Sequence, residues 1–159
     1  MKNAIVLEVF NLLMKRGKTF SSAESCTGGN IAHQITLIAG SSNIFKGTAV
    51  TYATPMKTKV LGVSAKTIET HTVVSREVVE EMAIGVRSLM ETDYGVATTG
   101  VAGPGGGTLE SPVGTVWIGL AAPDGVTSKC FHFVGDRVSV IDQATEAAYG
   151  MLKDKLTQN

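Results

Sequence analysis

Apolar residues recur at helical spacing where the chain begins. Ile5, Val9, Leu12 and Leu13 share one face, which predicts a helix over residues 2–16 with Gly17 as its C-terminal cap. A short strand is expected at 18–23, then a helix at 28–38 with Ile31, Ile35 and Ile38 turned to a core. Ser41-Ser42-Asn43 is turn chemistry, and the β-rich run 46–54 carries Val50, Thr51 and Tyr52 near its end. Pro55 suits a first helical turn, so a short helix follows at 56–61; Gly62 ends it and Ser64 opens another. Ser75 caps the clearest helix, 76–91. Its Val78, Val79, Met82, Ile84, Val86 and Leu89 exceed what one narrow stripe needs, which predicts broad burial.

A buried strand is expected at 94–99, directly before a glycine-rich segment. Strands at 114–121 and 126–134 form a hairpin around Pro123-Asp124-Gly125. Asp136 is placed to cap a last helix reaching about residue 156. The order α-β-α-β-α-β-β-β-α supplies helices for both faces of a sheet, and the terminal hairpin adds antiparallel pairing. The expected fold is a three-layer α/β/α sandwich with a mixed, mostly parallel sheet, in a single domain over 1–159. In such a sheet the strand C-terminal ends gather at one edge. Ser25, Tyr52, Thr99 and Arg137 all follow or close expected strands, so they are expected to converge.

Composition narrows the function classes. Of 159 residues, 43% are hydrophobic and 18% charged, which suits a compact soluble domain. Fourteen basic and fourteen acidic side chains cancel, so general nucleic-acid binding lacks its main driving force. Cys26 and Cys130 are too few for a disulfide framework or a zinc site, and His33, His71 and His132 have no metal-ligand spacing. No uncharged apolar stretch reaches membrane-spanning length, and the N-terminus does not read as a signal peptide. A cytoplasmic protein without metal, membrane or nucleic-acid partner is expected.

Two segments carry candidate chemistry. Ala23-Glu24-Ser25-Cys26-Thr27-Gly28-Gly29 closes a strand and opens a helix. It reads either as a capped helix start or as a nucleophilic hydroxyl beside free helix-start N–H groups, which would form an anion hole. The second segment, from Gly100 to Gly107, holds five glycines in eight residues, among them Gly103 and Gly105. It reads either as a surface loop or as a backbone cradle for phosphate or ribose. Ser25 needs a base, and no histidine is persuasively placed. Lys57, five residues beyond Tyr52, is the candidate if desolvation lowers its pKa, with Lys59 as competitor and Tyr52 as a relay or orienting group.

These motifs resemble the CinA C-terminal domain family. The resemblance is carried by Ala23 to Gly29, Val50-Thr51-Tyr52 with Lys57, Gly100-Val101-Ala102-Gly103-Pro104, Pro112 to Val116 and Gly135-Asp136-Arg137, in family order. That family includes stand-alone nicotinamide-nucleotide amidohydrolases. The resemblance implies cofactor-free hydrolysis of the carboxamide of a pyridine mononucleotide, nicotinamide mononucleotide, to nicotinate mononucleotide and ammonia. It implies Ser25 as nucleophile, Lys57 as general base and Tyr52 assisting. Thr99 and Arg137 look like further site residues, with Arg137 on the substrate phosphate; Thr27, Gly28, Gly29, Gly100, Gly103 and Gly105 would supply substrate-binding backbone. Ile141 and Ser111 stand where many relatives carry Arg and Lys. That loss of positive charge favours an alternative, a non-catalytic nucleotide-binding or regulatory module. A homo-oligomer is left open.

Overall fold

The computed structural model describes residues 3–158. Lys2, expected to begin the first helix, lies outside them. Helix α1 (Ala4–Arg16) is capped by the Asn3 side chain on the Ile5 N–H and ends at Gly17 in the left-handed region. Then follow β1 (Phe20–Glu24), α2 (Asn30–Thr36), a single 3-10 turn at Ser41–Asn43, β2 (Phe45–Val50), α3 (Thr54–Leu61), α4 (Ala65–His71) and α5 (Arg76–Met90). The chain finishes with β3 (Tyr94–Gly100), β4 (Thr115–Ala122), β5 (Gly125–His132) and α6 (Arg137–Thr157).

The five strands form one sheet in the order β2-β1-β3-β4-β5. β1 pairs parallel with both β2 and β3, whereas β4 runs antiparallel to β3 and to β5. Four strands therefore point one way, and only β4 runs against them. The C-terminal ends of β1, β2, β3 and β5 meet the start of β4 at one edge, as the winding argument required.

Side-chain size sorts the two faces. Phe20, Val96, Val116, Ile118 and Leu120 meet α1, α2 and α6 in one core, with Leu13, Ile31, Tyr149 and Leu152. On the other face Ala23, Ala97 and Ala121 meet Leu61, Val78, Val79, Met82 and Val86 of the α3–α5 layer. Small residues let α5 lie close against the strands. A Cβ at Gly95 would stand 2.4 Å from the Ala83 carbonyl oxygen, and one at Gly119 2.8 Å from that of Val79. Gly95→Ala is therefore expected to destabilise the fold by about 1–3 kcal/mol. Urea denaturation is the check, and an unchanged midpoint would contradict close helix–sheet contact.

Three local expectations are corrected. α2 begins at Asn30 rather than 28 because Gly28 and Gly29 take positive φ of 59° and 100°, which turns the chain before it winds. β2 stops at Val50, since Thr54 already belongs to α3 and Pro55 sits in its first turn. α5 buries one face only. Ile84 and Leu89 are 50% and 52% exposed, so the surplus apolar positions face outward. No helix among the described residues is long and apolar enough to cross a membrane.

Candidate active site

The edge where the strands end holds a cleft of about 320 Å³, lined by Ser25, Tyr52, Lys57, Thr99, Gly103 and Arg137 among others. That volume lies at the lower end of small-ligand sites. Ser25 directly follows β1. Lys57 comes from α3, in the α3–α5 layer, and meets Ser25 at the sheet edge. The Lys57 Nζ lies 3.2 Å from Ser25 Oγ and donates to the Thr51 carbonyl at 2.7 Å.

Lys57 is only 1% exposed, and no carboxylate is paired with it among the described residues. Burial disfavours its ammonium form and holds its pKa below the ordinary lysine value. A free amine so placed can accept the Ser25 proton. Lys59, the competitor, is exposed on another side of the same helix. Cys26 is adjacent to Ser25 but buried, and burial pushes its thiol up to about 11. It stays protonated at neutral pH and is a poor nucleophile.

The threonines closing β3 point to opposite faces, as alternation demands. Thr98 accepts from the Ser25 N–H at 3.4 Å and shares a 2.9 Å hydrogen bond with Thr27 Oγ1. Thr99 donates to the Val73 carbonyl at 3.1 Å, which ties the loop before α5 to the cleft wall. Arg137, the first residue of α6, donates to the Gly103 carbonyl at 2.7 Å and to Tyr52 Oη at 3.0 Å. Its guanidinium has no carboxylate partner among the described residues.

Several expected roles change. The start of α2 is not a free anion hole: the Gly29, Ile31 and Ala32 N–H groups all donate to the Glu24 carboxylate. Gly28 donates to the Ser25 carbonyl, and Thr27, 3% exposed, bonds to Glu24 and Thr98. None of Thr27, Gly28 and Gly29 lines the cleft. Cys26 does border it, and its N–H donates to no other residue among the described residues, which leaves it beside Ser25 as a candidate donor to an oxyanion. Tyr52 is 59% exposed and its hydroxyl bonds to Arg137, while the Thr51 carbonyl holds the lysine. Tyr52 therefore borders the mouth, and among the described residues its hydroxyl hydrogen-bonds to neither Ser25 nor Lys57.

In the glycine-rich segment, Gly100 packs so closely on β4 that a Cβ would stand 2.5 Å from the Thr115 carbonyl oxygen. Gly103 offers its carbonyl to Arg137, while Gly105 has open space beside it and borders the cleft. Ser111 and Ile141 do not line the cleft, and Ile141 packs against the α6-side core. His33, His71 and His132 lie outside it too. Among the described residues no cluster of three or more His, Cys, Asp or Glu is placed to hold a metal ion.

Glu24, Thr98 and the Thr51 carbonyl were missed as site components. A lone carboxylate ending an otherwise neutral strand, and two threonines inside an apolar one, were the signals available.

Fold and cleft together define a three-layer α/β/α domain with a buried serine–lysine pair at its strand-end edge. The family model of the CinA C-terminal domain matches residues 2–156, and the chain belongs to that family. It is 47% identical over 148 residues, 93% of its length, to a CinA-like protein of Flavobacterium psychrophilum, of which it covers 35%. It is 54% identical over 132 residues, 82% of its length, to a CinA-like protein of Desulfosudis oleivorans, of which it covers 32%. The chain thus spans about a third of the length of the curated relatives it matches. Among solved structures it superposes on a competence-damaged protein (CinA) superfamily protein from Klebsiella pneumoniae. There the TM-score is 0.94 and the identity 34%, with 98% of each chain covered. A competence/damage inducible protein from Agrobacterium tumefaciens gives TM-score 0.91 at 35% identity, with 99% of each chain covered.

Proposed function

We propose that this domain is a hydrolase that releases ammonia from the carboxamide of nicotinamide mononucleotide, leaving nicotinate mononucleotide. The observation that carries the reading is the Lys57 Nζ, buried and 3.2 Å from Ser25 Oγ. In the free-amine form Lys57 takes the Ser25 proton as Oγ attacks the carboxamide carbon. The Cys26 N–H, with its fixed dipole, stabilises the oxygen that gains negative charge. The Lys57 ammonium then returns the proton to the departing nitrogen, so ammonia leaves and an ester to Ser25 remains. Water, deprotonated by the same amine, attacks that ester; Ser25 recovers its proton and the acid is released.

The substrate assignment rests on the resemblance together with two groups at the mouth. Arg137 has no carboxylate partner among the described residues, and its bonds to the Gly103 carbonyl and Tyr52 Oη fix the guanidinium at the mouth with further N–H groups left for a phosphate. The exposed Tyr52 ring gives a cationic pyridinium a face to lie against.

The test is ammonia release from nicotinamide mononucleotide beside nicotinamide riboside. The mononucleotide is expected to turn over and the riboside, without phosphate, far less. Arg137→Gln should lower kcat/KM for the mononucleotide by roughly 10–100-fold, the loss of one charge-assisted pair. It should leave the riboside rate nearly unchanged. Stabilisation by the mononucleotide without ammonia from either compound would refute hydrolysis and favour a binding module.

A further inference from the structure

Glu24 takes no part in these proton transfers, yet it is fully buried at the end of β1, on the face turned toward α2. Its Oε1 accepts from Thr27 Oγ1 at 2.7 Å, the Ile31 N–H at 2.9 Å and the Gly29 N–H at 3.2 Å. Its Oε2 accepts from Ser22 Oγ and Thr48 Oγ1, both at 3.0 Å, and from the Ala32 N–H at 3.1 Å. No lysine, arginine or histidine forms an ion pair with it among the described residues. Its charge is balanced instead by the positive end of α2 and by hydroxyl dipoles.

Burying a bare carboxylate is expensive, and a serine or threonine would cap this short helix without that cost. What the carboxylate adds is reach in two directions. Toward α2 it fixes the turn in which Ser25 is the next residue; Ser25 itself is held by the 3.4 Å contact to Thr98, the Gly28 N–H on its carbonyl and its contact to Lys57. Toward β2 it holds Thr48, and the Glu24 carbonyl accepts the Thr51 N–H at 3.1 Å. Thr51 in turn holds Lys57 by its carbonyl. Nucleophile and base come from different elements, the end of β1 and α3, and Glu24 is bonded to the support of each.

We infer that Glu24 is the positioning residue of the serine–lysine pair, its carboxylate fixing as one unit the Ser25 turn and β2, the strand that leads into the Thr51 carbonyl on which Lys57 rests. The inference rests on the hydrolytic reading above. Filling the α2 start with the protein's own anion also leaves a substrate phosphate no place there and directs it to Arg137.

Glu24→Gln tests this in the full chain. All six partners are donors, so the new amide NH₂ must face some of them. Turned toward Ser22 and Thr48 it meets hydroxyls that can rotate to accept, and only the Ala32 N–H stays opposed. The fold is therefore expected to survive. Ammonia release should lose roughly 10–100-fold in kcat, as a small misplacement of reacting groups does, with KM unchanged. The pH midpoint of the rate should stay at its wild-type value, because Lys57 remains dry. Phosphonylation of Ser25 by a fluorophosphonate should slow by a similar factor. Thr48→Val, which cuts only the link to β2, should give a smaller loss of the same kind.

Lowered thermal stability with wild-type kcat per folded molecule would overturn the inference. So would a midpoint moved toward the ordinary lysine range, which signals a pocket opened to water. Labelling needs no nucleotide, so wild type that is phosphonylated at Ser25 but releases no ammonia removes the substrate assignment while the labelling rates still decide on Glu24. Absence of wild-type labelling would overturn both.

Discussion

Ser25→Ala is expected to cut ammonia release from nicotinamide mononucleotide by roughly 10³-fold or more while the protein stays folded. Among the described residues the Ser25 hydroxyl is the one bonded to the Lys57 amine, and the adjacent Cys26 thiol, held near 11 by burial, is no substitute. What remains would be background hydrolysis aided by the Cys26 N–H and by substrate binding. Structurally the change is small. Among the described residues Ser25 Oγ bonds only to Lys57, which keeps the Thr51 carbonyl, so unfolding free energy should shift by less than about 1 kcal/mol. Nucleotide affinity should persist. Assay and urea denaturation on one preparation separate the two effects, and a fully active variant would remove Ser25 from the chemistry.

Lys57→Met should cause a comparable collapse in rate, with the opposite tendency in stability. Methionine fills similar space and needs no solvation, while the buried amine suffers desolvation whenever it is protonated. Relief of that desolvation near neutral pH is expected to offset the lost hydrogen bond to the Thr51 carbonyl, so the variant should be about as stable as wild type or more so. The pH dependence follows from the sign of the shift. The folded chain holds Lys57 below its ordinary 10.5, so between the lowered value and 10.5 it binds fewer protons than the unfolded chain. Stability from this group is complete above 10.5 and is lost as pH falls through that window; Lys57→Met abolishes the slope. Wild-type activity should rise with pH to a plateau reached below the ordinary lysine range, because the free amine is the working form. Lys59→Met, altering an exposed lysine on the same helix, should leave rate and profile intact. Residual activity with an unchanged profile in Lys57→Met would exclude Lys57 as the base.

Much of the framework could be read from residue patterns because local rules and packing agree. Gly17, Gly62, Ser75 and Asp136 mark helix ends by cap chemistry that needs no knowledge of the fold. Strand C-terminal ends then had to share an edge, which brought Ser25, Tyr52, Thr99 and Arg137 to one cleft. The misreadings arose where partners lie far apart along the chain. Free N–H groups at the start of α2 were a fair inference from Gly28 and Gly29. That Glu24, one residue before Ser25, would fold back to fill them depends on Thr48 and on the sheet register. Tyr52 was matched to Lys57 by nearness in sequence, but its hydroxyl meets Arg137, 85 positions on. The outward Ile84 and Leu89 reflect the same limit, since counting apolar residues does not say how many faces a sheet offers a helix.

The most direct measurement is the rate and site of fluorophosphonate attachment as a function of pH, in wild type and Lys57→Met. A hydroxyl activated by a dry amine predicts a single adduct on Ser25, forming faster as pH rises, with its midpoint below 10.5 and its pH dependence lost in the variant. An adduct elsewhere, or equal rates in both proteins at every pH, would contradict it.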